Sequence, residues 1–188
     1  MLRIIGGEFR HRRLAIPDAE VSRPTMDKVR EAVFSSIREK VPNAVFLDLF
    51  AGSGAVGLEA LSRGASFVYF NEKDGRVLKV LLKNAETFDP ERSKTVIMRK
   101  DYLDALRFLS GKGRTFDIVY LDPPYAIKTN AATIAFLNQA NLLNAGALVI
   151  AEQTDMPVAI AGFALKTHKY GRKFIGVYER EAATDGAN

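Results

Sequence analysis

From residue 45 onward the sequence alternates short apolar runs with amphipathic runs, which restricts the chain to a small set of folds. Short runs rich in Val, Ile, Leu and Phe predict buried strands, whereas apolar residues three or four apart predict helices. The predicted strands are 45–50, 67–70, 95–98, 116–121, 147–151, 163–169 and 173–179, and the predicted helices are 54–63, 75–88, 102–109 and 130–139. Strands that alternate with helices form a mostly parallel, doubly wound α/β sheet, and the last two strands predict a closing antiparallel hairpin.

Two smaller elements precede this alternating region. The stretch LRIIGGEFRHRRLAIP predicts an N-terminal β-hairpin with a basic loop. The stretch RPTMDKVREAVFSSIREK predicts an amphipathic helix that starts near Thr25 and ends before Pro42. We predict one domain over 1–181, with the arm and helix in 1–40, a core in 41–181 and a flexible tail in 182–188.

The composition excludes several classes of protein. The chain has no cysteine, so it has neither a disulfide framework nor a thiolate nucleophile. Its longest nearly apolar stretch, 156–165, is too short to cross a membrane, and we see no signal peptide, so we expect a cytoplasmic monomer without a membrane partner. His11 and His168 lie far apart in the sequence, so we expect no metal site.

The formal net charge is +5, and arginine is concentrated near the N-terminus. Arg10, Arg12 and Arg13 lie in the predicted hairpin and Arg23 precedes the predicted helix. Such a cluster is typical of a segment that binds nucleic-acid phosphates. The alternative is a solvated basic surface.

A glycine-rich turn follows the first strand of the core. In FLDLFAGSGAVGLEA, Gly52, Gly54 and Gly57 have the spacing G-x-G-x-x-G, and Glu72 follows the second strand twenty positions after Gly52. Glycines let the backbone approach a ligand, and an acid at that place can accept both hydrogen bonds of a ribose diol. The pattern fits a dinucleotide or another adenosine cofactor. Alternatively, the glycines serve only a tight packing of helix on strand.

Two further acids favour S-adenosylmethionine over a dinucleotide. Asp48 lies directly before the glycine turn, where a carboxylate suits the ammonium group of an amino acid better than a pyrophosphate. Asp101 follows the third strand and could meet the adenine amino group, with Tyr102 as an apolar wall. The alternative role for Asp101 is that of a helix N-cap.

The strand 116–121 ends in DPPY, residues Asp122, Pro123, Pro124 and Tyr125. Two prolines end sheet pairing and hold the preceding residue extended. The Asp122 carboxylate and the Pro123 carbonyl can then converge on one exocyclic NH₂ group, with the Tyr125 ring against the face of the base. Positioning and electrostatic stabilisation suffice for methyl transfer to such an amine.

These motifs together resemble those of class I S-adenosylmethionine-dependent methyltransferases that act on amino groups, which have a Rossmann-like fold. RIIGGEFRHRRL followed by RPTMDKVREAVFSSI narrows the resemblance to the RsmD family of bacterial 16S rRNA guanine-N2 methyltransferases, over residues 2–179. The resemblance implies methyl transfer to a guanine N2 in 16S rRNA, within an assembled or partly assembled small ribosomal subunit.

The resemblance also assigns the site residues. Residues 122–125 would hold the target amine, Arg23 and Thr25 would line the mouth of the site, and the cofactor would be held by Asp48, Phe50, Ala51, Gly52, Gly54, Glu72, Lys73, Asp101 and Tyr102. Two residues depart from the family pattern. His11 stands where the family commonly has glycine, and Asn71 replaces an apolar residue before Glu72.

Three alternatives remain at this stage. An N6-adenine or N4-cytosine methyltransferase acting on DNA, or a methyltransferase acting on another base of rRNA, would use the same DPPY chemistry. A DNA enzyme is less favoured, because the chain has few residues to spare for a DNA-recognition domain. An NAD-dependent oxidoreductase would use the glycine turn. A basic RNA-binding chaperone would retain the fold without the chemistry.

Overall fold

The computed structural model describes residues 2–17, 24–124 and 129–181. Within these residues the helices and strands, in chain order, are α1 (Pro24–Ser36), β1 (Val45–Asp48), α2 (Ala55–Ser62), β2 (Phe67–Asn71), α3 (Gly75–Phe88), β3 (Thr95–Met98), α4 (Tyr102–Gly111), β4 (Phe116–Leu121), α5 (Asn130–Gln139), β5 (Leu143–Gln153), β6 (Phe163–Tyr170) and β7 (Lys173–Arg180). The predicted sequence of elements is therefore confirmed from β1 to β7.

The strands form one seven-stranded sheet in the order β3-β2-β1-β4-β5-β7-β6. Neighbours from β3 to β5 pair in parallel, whereas β7 pairs antiparallel with both β5 and β6. The mostly parallel sheet with a closing antiparallel hairpin is thus confirmed. The order in which successive strands are added to the sheet reverses between β1 and β4, which is the switch point where such sheets bind ligands.

Two apolar layers cover the faces of this sheet. On one face, Phe46 and Ile118 pack with residues of α1, α2 and α3, among them Phe34, Leu58 and Leu81. On the other face, Leu47 and Val119 pack with α4 and α5. Successive strand residues thus face opposite layers, as the pleat requires of strands buried on both sides.

β5 begins earlier than the sequence predicts, at Leu143 rather than Ala147. Its pairing with β4 is irregular, since Phe116 lies opposite Leu143 but Ile118 lies opposite Leu148. Gly146 in this bulge has a φ of 67°. The polar and glycine residues of the bulge interrupt the apolar pattern, which is why periodicity alone misses the start of the strand.

The N-terminal hairpin is shorter than predicted. Its two segments run antiparallel, but only Arg3 and Arg13 form a bridge, and it is an isolated one. Ile4 N–H donates to the Arg12 carbonyl at 3.0 Å, and His11 N–H donates to the Ile4 carbonyl at 2.9 Å. Burial of Leu2, Ile4 and Leu14 in the α1–α3 layer holds the segment in place. We call residues 2–17 the N-terminal arm.

The carboxylate of Glu59, fully buried in α2, fixes the start of this arm. Its two oxygens accept the backbone N–H groups of Ile5 and Gly6, each at 2.8 Å. Arg63 Nε lies 2.7 Å from the same carboxylate and Arg30 Nε lies 3.7 Å from it. A buried carboxylate requires such partners, and here they attach the arm to the core.

Candidate active site

The sequence-predicted acids lie where the parallel strands of the sheet end, a side of the sheet that we call the carboxyl edge. Asp48 is the last residue of β1, Glu72 follows β2, Asp101 lies between β3 and α4, and Asp122 follows β4. Parallel strands end at a common edge, so the order across it is Asp101, Glu72, Asp48 and Asp122. The candidate cofactor residues therefore lie on β1, β2 and β3, and the candidate amine site adjoins them on β4.

The three glycines of the turn between β1 and α2 have different surroundings, so glycine is needed at each for a different reason. A Cβ atom on Gly57 would lie 2.3 Å from the Phe70 ring, and one on Gly54 would lie 2.5 Å from Leu81. These two positions serve the packing of helix on sheet. Gly52, with a φ of 54°, has no atom within 4 Å of such a Cβ, so its backbone faces open space at the strand ends. An open, positive-φ glycine fits close approach of a ligand.

The carboxylate of Glu72 holds the turn in position. Its Oε2 accepts the N–H of Gly52 at 2.9 Å, and its Oε1 accepts the N–H of Asp74 at 2.7 Å. Each carboxylate oxygen has a second lone pair, so both can still accept from a ribose diol. Ala51 is buried beside them and donates its N–H to the Asn71 carbonyl at 3.0 Å.

Asp48 is almost completely buried at the centre of the edge. Its Oδ2 accepts the N–H of Gly57, in the first turn of α2, at 2.9 Å. Burial, with the neighbouring charges of Asp122, Glu72 and Glu152 adding to it, raises the pKa of Asp48 to about 7. A cation at this place would favour the ionised carboxylate and offset that cost.

Asp101 has one of the two roles that the sequence left open, that of a helix cap, and it also pairs with Lys73. Its side chain caps α4 by accepting the N–H of Leu103 at 3.2 Å, which confirms the predicted N-cap. Its other oxygen lies 2.9 Å from Nζ of Lys73, and this hydrogen bond lowers the pKa of Asp101. The side chain of Lys73 is mostly exposed, so this ion pair lies at the solvent-facing end of the row of acids.

An aromatic pair lies beside these acids. The ring centroids of Phe50 and Tyr102 are 5.5 Å apart and tilted by 37°. Phe50 belongs to the loop after β1 and Tyr102 to the first turn of α4, so the pair spans the space above β1 and β3. An apolar pair at this place could cover the face of a planar base.

Asn71, one of the two departures from the family pattern, is a structural link. Its Nδ2 donates to the carbonyls of Leu49 at 3.2 Å and Lys100 at 3.1 Å, so it connects the segments that follow β1 and β3. Its Oδ1 is buried without a partner among the described residues. The sequence predicted only altered packing here.

The DPPY segment is described as far as Pro124. Asp122 and Pro123 are partly exposed and Pro124 is exposed, directly after the buried strand β4. Tyr125 lies outside the described residues, as does Arg23. Thr25 lies in the first turn of α1.

Beside Asp122 is a cavity of about 190 Å³, which we call the acceptor-side cavity; its walls include Asp122, Pro123, Asn130, Glu152, Met156 and Lys173. Lys173 Nζ lies 2.8 Å from Glu152 Oε2 and 3.9 Å from Asp122 Oδ1. The hydroxyl of Tyr120 donates to Glu152 Oε1, and burial raises the pKa of Tyr120 well above its usual value.

Sequence reasoning missed Tyr120, Glu152 and Lys173. Glu152 lies beside Asp122, since Leu121 pairs with Ala151 in the parallel register of β4 and β5. β7 is antiparallel to β5, so Lys173 at its start reaches the same edge. The position of Glu152 at the end of an apolar strand was a usable signal, whereas that of Lys173 depends on the pairing of β7 with β5.

The predicted RNA-binding arginines of the N-terminal arm, Arg10, Arg12 and Arg13, lie away from this edge. Arg12 stacks on the rings of Phe9 and Phe88, with its Cζ 5.6 and 4.8 Å from the centroids. Its Nη2 also donates to the Thr87 carbonyl at 3.4 Å. Phe88 ends α3, a helix of 14 residues that begins at the carboxyl edge, so Arg12 lies about 20 Å along that helix. Arg10 and Arg13 are exposed nearby in the arm.

The described residues contain neither a candidate metal site nor a candidate membrane span. Over residues 2–17, 24–124 and 129–181, no group of three or more His, Cys, Asp or Glu side chains could hold a metal ion. No helix within those ranges has the length and apolar character needed to cross a membrane.

Comparison with known proteins shows which class of protein this chain resembles. A family model described as "Conserved hypothetical protein 95" matches residues 2–179. Ribosomal RNA small subunit methyltransferase D of Escherichia coli K12 is 37% identical over 185 residues, which cover 96% of this chain and 91% of that protein. The protein of the same name from Haemophilus influenzae Rd is 36% identical over 158 residues, which cover 84% and 81%.

A solved structure agrees with these relatives. The putative methyltransferase yhhF from Escherichia coli superposes with a TM-score of 0.83 at 36% identity, covering 96% of this chain and 98% of that chain. The fold and its relatives therefore define a class I, Rossmann-like methyltransferase. Within that class, the chain belongs to the RsmD family.

Proposed function

We propose that this methyltransferase transfers a methyl group from S-adenosylmethionine to the exocyclic N2 of a guanine in small-subunit ribosomal RNA. The observation that carries the proposal is the division of the carboxyl edge into two adjoining halves. Gly52, Glu72 and Asp101 lie on the side of β1, β2 and β3, and Asp122 borders a cavity on the side of β4, β5 and β7.

The residues of the first half fit the donor. S-adenosylmethionine, when bound, supplies an electrophilic methyl group on a sulfonium sulfur. Asp48 would hold its ammonium group, Glu72 would accept from the ribose hydroxyls, and Asp101 would accept from the adenine amino group. Gly52 leaves the necessary space, and Phe50 with Tyr102 would cover the adenine face.

The residues of the second half fit an aromatic amine. The lone pair of such an amine is delocalised into the ring, so it becomes a better nucleophile when acceptors bind its N–H bonds and favour a tetrahedral nitrogen. Asp122 and the carbonyl of Pro123 are acceptors at the end of β4, held extended by the two prolines. The nitrogen becomes strongly acidic once methylated, so Asp122 need not be a strong base. Tyr125 would lie against the base.

The relatives favour ribosomal RNA as the substrate. The two curated relatives are named for the small ribosomal subunit, and together they span most of this chain. A net charge of +5 with exposed Arg10, Arg12 and Arg13 fits a polyanionic partner. We propose that a monomer in the cytoplasm binds the subunit by shape and phosphate contacts and takes the base out of its stack, and that Arg23 and Thr25 line the mouth of the site.

The test is to offer three substrates to the purified protein with methyl-labelled S-adenosylmethionine. These are small ribosomal subunits that lack the modification, protein-free 16S rRNA and duplex DNA. We expect label on the subunits. Label on DNA alone would retain the amine chemistry and refute the ribosomal substrate, and a protein that binds NAD but not S-adenosylmethionine would refute the donor.

A further inference from the structure

The acceptor-side cavity has a feature that the chemistry of amine methylation does not require. Besides Asp122, a second carboxylate, that of Glu152, borders it from the end of β5. The side chain of Glu152 is only 10% exposed, and Tyr120 and Lys173 hold its two oxygens. A carboxylate buried to this degree is costly unless its remaining acceptor capacity has a use.

The placement of Glu152 relative to Asp122 is fixed by backbone pairing. The two residues follow directly on the paired Leu121 and Ala151 of β4 and β5. Lys173 Nζ contacts both carboxylates, at 3.9 and 2.8 Å. Asn130 Nδ2 further fixes this end of β5 by donating to the Glu152 carbonyl at 2.9 Å. A base whose amine lies at Asp122, with its Watson–Crick edge towards β5, would present the ring nitrogen of that edge to Glu152.

The amine-bearing bases differ at that ring nitrogen. Guanine has N1–H, which is a donor, on the Watson–Crick side of its N2 amine and the acceptor N3 on the other side. Adenine has the acceptor N1 beside its N6 amine, and cytosine has the acceptor N3 beside its N4 amine. A carboxylate accepts from a donor and repels an acceptor lone pair. A buried group left unpaired by the wrong substrate is a strong source of discrimination.

We propose that Glu152 accepts the N1–H of the target guanine and thereby restricts the site to guanine, with Lys173 and Tyr120 as positioning residues that orient its carboxylate. The inference rests on the proposed guanine-N2 activity and adds the residue that selects the base. Because each oxygen of Glu152 has one protein partner, each keeps a lone pair for the substrate.

The test uses small subunits reassembled with 2-aminopurine in place of the target guanine. This base keeps the exocyclic 2-amine but has an acceptor at N1. We expect wild-type enzyme to methylate guanine roughly 10²-fold or more faster than 2-aminopurine. In Glu152→Gln, whose amide can donate to that acceptor, we expect the preference to shrink by about tenfold or more. The matched control is Glu179→Gln, on β7 beside Lys40, which should keep the wild-type preference.

Affinity for S-adenosylmethionine and thermal stability are measured on each variant, so that a misfolded protein is recognised. An unchanged preference in folded Glu152→Gln would overturn the inference. Equal wild-type rates on guanine and 2-aminopurine would overturn it without any variant, while leaving guanine-N2 methylation intact. Failure of wild type to form N2-methylguanosine would refute the proposed function and this inference with it.

Discussion

The carboxylate of Glu72 accepts the backbone N–H of Gly52 at 2.9 Å, so an acid at the end of β2 fixes the turn that follows β1. The contact joins the two strongest elements of the cofactor motif, which are twenty residues apart in the sequence. It gives Glu72 a role in shaping the turn, beside its proposed role in binding ribose hydroxyls.

Glu72→Gln should weaken S-adenosylmethionine binding by about tenfold or more, because a charged acceptor is lost at the ribose and at the turn. Isothermal titration calorimetry on the purified variant measures this directly. Glu86→Gln, on the exposed surface of α3, is the matched control and should bind like wild type. If Glu72→Gln bound S-adenosylmethionine with wild-type affinity, the proposed role of Glu72 in cofactor binding would be contradicted.

Asp122→Ala should leave S-adenosylmethionine affinity within a few-fold of wild type while methyl transfer falls by about 10²-fold or more. The reason is that, in the proposed function, Asp122 binds the acceptor amine in the half of the edge outside the donor site. Single-turnover rates and equilibrium binding on the same preparation separate the two effects. A loss of affinity as large as the loss of rate would contradict this role.

The pKa of Asp48, raised to about 7, predicts pH-dependent donor binding. Below pH 7 the free protein holds a proton on Asp48, and binding the ammonium group must displace it. Affinity should therefore fall by up to about tenfold per pH unit below 7 and level off above it. Glu72, Asp122 and Glu152 face the same group, so Asp48→Asn is needed to assign the effect.

Calorimetry from pH 5.5 to 8.5 measures this profile. The Asp48→Asn variant should bind more weakly and lose most of the slope near pH 7. A wild-type profile that is flat across this range would contradict the assignment of Asp48 to the ammonium group. The same raised pKa affects the stability of the cofactor-free protein in the opposite direction. The contribution of Asp48 to the free energy of unfolding falls as pH rises from about 4 towards 7, because burial opposes ionisation of its carboxyl group.

The arm arginines should contribute to RNA binding through charge. Arg10→Ala with Arg13→Ala should weaken binding to the small subunit and lower the slope of log affinity against log salt by about 2. Arg12→Ala should also lower stability, by about 1 kcal/mol, because its guanidinium stacks on two rings. Filter binding across salt concentrations and thermal melts measure the two effects.

Arg114→Ala provides the control for the arm, since Arg114 is exposed in the loop between α4 and β4. Its salt slope should stay near that of wild type unless RNA also reaches that loop. If the slope of log affinity against log salt were unchanged in the Arg10 and Arg13 double variant, the arm would be interpreted as a solvated basic surface instead.

Much of the fold followed from periodicity, because buried strands and amphipathic helices have patterns that differ strongly. The boundaries of α3, β3, β4 and α5 are as predicted. The bulge at Gly146 and the short arm were missed, since both depend on tertiary contacts. The resemblance predicted that His11 stands where glycine is common, and its φ of 70° fits that prediction, because the left-handed region suits glycine.

The part of the candidate site that could be predicted from the sequence is the part in which a residue is recognised by its own strand end and its own motif. The candidate acids Asp48, Glu72, Asp101 and Asp122 could be placed together because each lies at or shortly after the end of a strand that the sequence predicts. Glu152 and Lys173 could not be assigned together, since their contact requires the antiparallel register of β7 on β5. The double use of Asp101, as a cap and as the partner of Lys73, likewise follows from three-dimensional proximity.

The most direct test of the account is the identity of the methylated nucleoside. Small subunits lacking the modification are incubated with the protein and methyl-labelled S-adenosylmethionine, and their RNA is digested and analysed by mass spectrometry. The account predicts N2-methylguanosine, formed by wild type and lost in Asp122→Ala. Label in N6-methyladenosine, N4-methylcytidine or a carbon-methylated base would contradict it.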